Sequence, residues 1–150
     1  MRLVILGCGR AGSSLALQMA ARGHNVTIIE RNPDVLRRLG SHTHVNVVLG
    51  NGLDLDVLEQ AGAAEADAFF ALTRGDNTNL MAAQIVQRNF GVKKVALKAA
   101  DPLRADAFRR LGLFVINASA IIAGMCRDWV LDEPIRPTGE YNILVEEMEL

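Results

Sequence analysis

Arg2-Leu-Val-Ile-Leu6, Gly7-Cys-Gly-Arg-Ala-Gly12 and Ser13-Ser-Leu-Ala-Leu-Gln-Met-Ala20 follow one another without a break. An apolar strand runs straight into Gly-x-Gly-x-x-Gly, and the third glycine opens a helix. Each part has a mechanical reason. Gly7 permits a tight turn off the strand, Gly9 lacks the Cβ that would block a pyrophosphate, and Gly12 lets helix and strand pack closely. The helix then aims unpaired N–H groups and its positive dipole end at the phosphates. Glu30, 18 positions beyond Gly12, closes the next apolar run. Strand before, helix after and an acid at that distance predict a dinucleotide-binding unit.

Working outward, Arg22-Gly23 reads as a helix stop and Asn25-Val-Thr-Ile-Ile-Glu30 as a buried strand. Asn32-Pro33 supplies an N-cap and first turn for a short helix carrying Val35, Leu36 and Leu39, and Gly40 stops it. His44-Val-Asn-Val-Val-Leu49 is the third strand, ending in Gly50-Asn51-Gly52; a helix over about Asp54 to Ala61 follows. Asp67-Ala-Phe-Phe-Ala-Leu-Thr73 is apolar enough for burial on both faces. Arg74 to Asn79 reads as a polar loop into a helix from Leu80 to about Asn89, and Val92 to Lys98 as the fifth strand. Asp101-Pro102 caps a helix with Leu103, Ala107, Phe108 and Leu111 inward. Leu113-Phe-Val-Ile116 is the sixth strand, and Asn117 or Ser119 caps a last helix bearing Ile121, Ile122, Met125, Trp129 and Val130. Alternating strands and helices with long connections predict an α/β fold. It is a Rossmann-type doubly wound parallel six-stranded sheet, in the order 3-2-1-4-5-6, with helices on both faces.

Residues 1–131 are thus expected to form the nucleotide-binding domain. Residues 132–150 read as a linker with two prolines in Asp132-Glu-Pro-Ile-Arg-Pro-Thr-Gly139, then a terminal strand from Tyr141 that suggests the start of a missing domain or pairing with another subunit.

Composition narrows the function classes. The 150 residues are 50% hydrophobic and 22% charged, with a formal net charge of −1, which argues against a nucleic-acid surface or a disordered chain. The longest apolar runs fall short of the ~20 residues of a membrane span. The expected location is cytoplasmic. Cys8 and Cys126, in a phosphate loop and a helix, do not suggest a structural disulfide. Cys8 is either a redox-sensitive thiolate at a helix N-terminus or a small residue filling the loop. His42 and His44 gather no further ligands, and a solvated tail accounts for Glu146, Glu147 and Glu149, so no metal site is expected.

Ligands of such sheets sit beyond the carboxyl ends of the strands. That edge carries Gly7, Cys8, Gly9, Arg10, Ala11 and Gly12, then Glu30 and Arg31, Asn51 and Gly52, Thr73 and Arg74, and Lys98. A carboxylate at Glu30 accepts ribose hydroxyls and repels a 2′-phosphate, favouring NAD(H) or an adenine nucleotide over NADP(H). Arg31 complicates this, because arginine there accepts a 2′-phosphate or stacks on adenine. Arg10 reaches the pyrophosphate or faces solvent; Lys98 suits a phosphate; Asn51 suits the adenine edge or simply its own turn. No nucleophile with a nearby base stands out, and the only tyrosine, Tyr141, has no Tyr-x-x-x-Lys partner.

Further blocks follow the glycine turn and Val26-Thr-Ile-Ile-Glu-Arg-Asn-Pro33: Gly50-Asn51-Gly52 with Asp54, Val57-Leu58, Ala61-Gly62-Ala63, Ala66-Asp67-Ala68, and Ala71-Leu-Thr73 with Asp76-Asn-Thr-Asn79. In this order they resemble the N-terminal domain of the regulators of potassium conductance, cytosolic nucleotide-binding subunits of Trk and Ktr potassium uptake systems. The resemblance covers about Met1 to Trp129. It implies NAD(H) or ATP/ADP/AMP as an allosteric ligand, a homo-oligomer (a dimer, or a larger tetramer or octameric ring), and docking on a membrane potassium-translocating subunit at the inner face of the cell membrane. By position, it puts phosphates at Gly7, Gly9 and Gly12, the ribose at Glu30, and Lys98 near the phosphates. Cys8 departs from the alanine or leucine commoner there. The expected role is a non-enzymatic, ligand-gated regulator. The alternative is an NAD-dependent oxidoreductase's cofactor domain lacking its substrate domain.

Overall fold

Short apolar runs of this sequence become strands: β1 (Arg2–Leu6), β2 (Asn25–Glu30), β3 (Val45–Leu49), β4 (Ala68–Ala71), β5 (Lys94–Lys98) and β6 (Phe114–Ile116). A computed structural model describes residues 1–40 and 44–143. The strands form one six-stranded sheet in the order β3-β2-β1-β4-β5-β6, the expected doubly wound parallel topology. Around it lie α1 (Arg10–Ala21), α2 (Leu55–Gln60), α3 (Asp76–Phe90), α4 (Pro102–Arg110) and α5 (Ala118–Val130), with 3₁₀ turns at Pro33–Leu39, Ala63–Glu65 and Thr138–Tyr141. No helix among the described residues is long and apolar enough to cross a membrane. His42, and the strand expected beyond Tyr141 from residue 144 on, lie outside the described residues.

Internal packing divides the chain into two units, Met1–Leu97 and Lys98–Leu150. In the first, Leu3, Ile5, Val26 and Ile28 form a buried layer with Ala16 of α1 and Leu39. Leu15, Met19 and Ala20 of α1 pack against it half-buried. Phe69 of β4 and Leu58 of α2 are fully buried. The ladder pairs Leu6 with Ile29 and with Ala71, and Glu30 with Leu49, so β1 to β4 end side by side.

Two expectations are corrected in detail. The stretch Asp76 to Asn79, read as loop, is the first turn of α3, with Gly75 at the N-cap and Asp76 and Asn79 both buried. On α4 the inward residues are Ala105 and Phe108, whereas Leu103 and Leu111 are 50% and 61% exposed and Ala107 is exposed. The helix carries two apolar stripes, and the sheet takes the narrower one.

The second unit combines a small apolar core with buried polar contacts. Asp101 and Asn117 are the side-chain caps of α4 and α5. The face of α5 that turns inward is Ala120, Gly124 and Asp128, at a spacing of one turn. Beyond the helix, Asp132 adopts a positive φ of 55° and the chain folds back as a strap, exposed from Leu131 to Glu140 until Tyr141 is buried. A Cβ at Gly124 would stand 2.5 Å from the Tyr141 ring. The buried Asp128 carboxylate accepts from the Tyr141 hydroxyl (2.8 Å), from Arg136 Nε (2.9 Å) and from Arg127. Bonds from Arg136 above all, then from Arg127 and Tyr141, outweigh burial and hold this carboxyl well below the usual carboxylate range. The Arg136 guanidinium also sits 4.9 Å over the Tyr141 ring.

Phe69 fills the middle of β4 and has no exposed surface. Phe69→Ala is expected to lower the unfolding free energy by ~3–5 kcal/mol, read from urea denaturation, through lost burial and a residual cavity.

Candidate functional site

The glycine turn continues the ladder before it becomes helix. Gly7 N–H donates to Ile29 O (2.8 Å), Leu72 N–H to Leu6 O (2.8 Å) and Gly50 N–H to Glu30 O (2.9 Å), so the carboxyl ends of the first four strands stay in register beyond the sheet. Gly7 then turns at φ 100°, and a Cβ there would press on the Leu72–Thr73 peptide at 3.1 to 3.2 Å. A Cβ at Gly12 would collide with the Gly7 carbonyl. Gly9 is different: it is exposed, its φ of −71° suits any residue, and a Cβ there would have nothing within 4 Å.

Gly9 is the N-cap of α1, whose own ladder starts with Ser13 N–H on Gly9 O (2.9 Å). The amides of Arg10, Ala11 and Gly12 precede that ladder, and the first turn carries no acidic side chain. Arg10 and Ala11 are exposed, and Gly12 is buried.

Glu30 is the electrostatic centre of this edge. Its Oε2 accepts from Cys8 N–H at 2.7 Å, and its Oε1 from Arg31 N–H at 2.8 Å and Asn32 N–H at 3.0 Å. Partial burial works to raise its pKa. The three N–H bonds and the positive charge of Arg38 prevail, so the carboxyl titrates below the ordinary glutamate value. A carboxylate has about four acceptor positions, so Oε2 keeps room for a further donor. Arg31 is exposed.

Cys8 is the small loop filler of the two readings. Its thiol is fully buried, lies 3.8 Å from the Val35 carbonyl, and is pushed up in pKa by burial and then by the Glu30 charge. The helix N-terminus does not make it a thiolate.

The remaining positions differ in burial and in how they are held. Asn51 uses its side chain locally, donating to Asp54 Oδ1 (3.1 Å) and accepting from Leu53 N–H (3.4 Å). Gly52 is buried, where a Cβ would run into Leu6. Thr73 is clamped by Asn79. Both its N–H (3.0 Å) and its hydroxyl (2.6 Å) donate to Asn79 Oδ1, and Asn79 Nδ2 returns a bond to Thr73 O (3.2 Å). Arg74 is exposed. Lys98 closes β5, is half-buried, and opens the second unit. The sequence reading singled out Asp76 to Asn79 without seeing that Asn79 fixes the turn after β4. It missed Arg38, whose only signal is its place on the turn that follows Glu30. Among the described residues no group of three His, Cys, Asp or Glu side chains could hold a metal ion.

Known proteins agree with this architecture. The TrkA-N domain model matches residues 3–122, and the chain belongs to that family. A Trk system potassium uptake protein TrkA of Streptomyces coelicolor is 47% identical over 113 residues, covering 75% of this chain and 51% of that protein. A TrkA homolog of Methanothermobacter thermautotrophicus is 34% identical over 150 residues, covering 96% of this chain and 69% of that protein. The chain thus spans about half the length of the first relative. Among solved structures, an AMP-bound Kef C-terminal domain of Shewanella denitrificans superposes with a TM-score of 0.73 at 21% identity, over 94% of this chain and 86% of that one. The GsuK channel bound to NAD gives 0.69 at 21% identity, over 83% of this chain and 22% of that one. At these identities the structures speak for the fold.

The lowered pKa of Glu30 has a signed consequence. The stability it contributes is fully present above the unfolded glutamate value of about 4.3 and is lost as pH falls through the lower folded value. Glu30→Gln turns one acceptor into a donor facing an N–H. In urea titrations from pH 7 to pH 3 it is expected to be the less stable protein at neutrality, with the gap to wild type closing as the solution is acidified.

Proposed function

We propose that this member of the TrkA-N family is the nucleotide-sensing regulatory part of a potassium uptake system, binding NAD(H) or ATP, ADP or AMP as an allosteric ligand without turning it over. The observation that carries the reading is the contrast among the glycines. Gly7 and Gly12 are demanded by the chain's own packing, while Gly9 opens onto unfilled space beside a fixed carboxylate. In this reading the phosphates lie over Gly9 against the amides of Arg10, Ala11 and Gly12, and Arg10 adds charge. Glu30 takes a ribose hydroxyl on Oε2, and its charge disfavours a 2′-phosphate. Arg31, Asn51 with Gly52, and Thr73 with Arg74 border the adenosine side, and Lys98 is the phosphate contact implied by its place at the end of β5. AMP and NAD in neighbours of this fold support an adenosine phosphate as ligand class. The names of the relatives support potassium uptake as the process and a membrane potassium-translocating subunit as partner. That partner would hold the protein at the inner face of the cell membrane.

Regulation needs only unequal affinity for the ligand in two assembly states. The second surface of this proposal is the outer side of α5. Ile122, Trp129 and Val130 there are 63%, 75% and 67% exposed, on a face that an apolar partner would cover. A second copy of the chain is the proposed cover.

Two measurements check these roles. By calorimetry, NAD(H) or an adenine nucleotide is expected to bind and NADPH to bind less well. Gly9→Val, whose Cβ meets nothing within 4 Å in the chain, should lower the melting temperature by no more than the loss of a good N-cap residue and weaken binding about tenfold or more, at least ~1.4 kcal/mol; unchanged affinity would move the site elsewhere, and steady hydride transfer would make the chain an oxidoreductase. By light scattering the chain is expected to be a dimer or larger, and Trp129→Glu to shift it toward monomer without unfolding it.

A further inference from the structure

The second unit contains a pair of asparagines, Asn117 and Asn142, that the proposed function does not use. Asn117 is fully buried at the N-cap of α5. Its Oδ1 accepts from Ala120 N–H at 2.6 Å, and its Nδ2 donates to Ala99 O at 3.0 Å and Ala100 O at 3.2 Å. Those two carbonyls belong to the residues directly after Lys98. Asn117 also donates its backbone N–H to Asn142 Oδ1 at 2.7 Å. Asn142 Oδ1 accepts a second bond from Arg109 Nη2 at 2.9 Å, and its Nδ2 donates to Val115 O at 2.8 Å. Each amide faces backbone groups of fixed polarity, so neither can flip without setting donor against donor.

We propose that Asn117 and Asn142 are positioning residues that link the loop after Lys98 to the strap leaving α5, so that a ligand held at Lys98 is felt at residues 138–143. The proposal rests on the nucleotide role of Lys98 given above. Movement of the Ala99 and Ala100 carbonyls must either break the bonds from Asn117 Nδ2 or carry Asn117 with them, and Asn117 is buried where a broken bond finds no water. Because the Asn117 N–H is the donor to Asn142, that displacement reaches the strap in one further bond. The strap is suited to respond. Leu131 to Glu140 are all exposed, and the segment is tied down by Arg136 and Tyr141 on Asp128 and by Asn142 on β6 and its cap. A segment with so few buried contacts opens more readily than the sheet. Ordering of the Lys98 loop by phosphate therefore tightens Asn117 and, through Asn142, the strap.

Amide hydrogen exchange on the full chain tests the link, with saturating NADH or ATP, whichever calorimetry shows to bind. In wild type, nucleotide is expected to slow exchange at the Asn117 amide and across residues 138–143 by about fivefold or more, the lower end of usual coupling between sites. In Asn142→Ala, nucleotide should still bind while the exchange of the strap no longer responds. In Tyr141→Phe, which loosens the strap at Asp128 and leaves the asparagines in place, basal exchange should rise and the response to nucleotide persist. A bound nucleotide that leaves the wild-type strap unchanged, or a response that survives in Asn142→Ala, overturns the link alone. Absence of any nucleotide binding overturns the functional reading together with it.

Discussion

One carboxylate sets the geometry of the first unit's working edge. Glu30 accepts from Cys8 in the glycine turn and from Arg31 and Asn32 at the start of the following 3₁₀ turn, while its backbone carbonyl takes the Gly50 amide. The ends of β1, β2 and β3 therefore meet on a single residue. Had the Cys8 amide gone unbonded, it would have carried the cost of a polar group removed from water without a partner. Because the fold has already immobilised this carboxylate, a ligand that uses it does not bear the cost of ordering it. The group proposed to take a ribose hydroxyl also ties the strand ends together, so under that proposal affinity and stability are coupled at one position.

The second unit is built on a different balance. Its buried residues include Ala105, Phe108, Leu113, Val115 and Ala120, yet Asn117 and Asp128 are buried among them. Hydrogen bonds to these two side chains fix where α5 begins and how the chain leaves it. Asp128 is held ionised by its arginine and tyrosine partners. Its clasp therefore stays closed across neutral and mildly acid conditions, and any release of the strap must come from competing contacts.

Much of this was legible in the sequence, and the exceptions share a cause. The strand, glycine turn and helix at the N-terminus, the six strands and the caps at Asn32 and Asp101 all rest on local signals; the caps stand where they were read, and the elements do so to within two residues at either end. Local patterns could not choose between the two apolar stripes of α4, since both have helical spacing and only the shape of the sheet decides. Asp76 and Asn79 read as loop because Asp and Asn suit turns and the first turn of a helix alike, yet Asn79 is buried to clamp Thr73. The strap read as a linker from its two prolines. Its anchors at Asp128, Arg136, Tyr141 and Asn142 are polar residues without periodicity, and their pairing exists only once the chain has folded back.

The unequal standing of the three glycines also bears on descent. A lineage that lost its ligand would still be obliged to keep Gly7 and Gly12, because the Gly7 carbonyl and the Leu72–Thr73 peptide leave no room for a side chain at either. Gly9 would be released to drift among good N-cap residues, since a Cβ there meets nothing within 4 Å. Across a set of related sequences, the motif's first and last glycines record only that the domain folds. The middle one records whether selection still sees something bound.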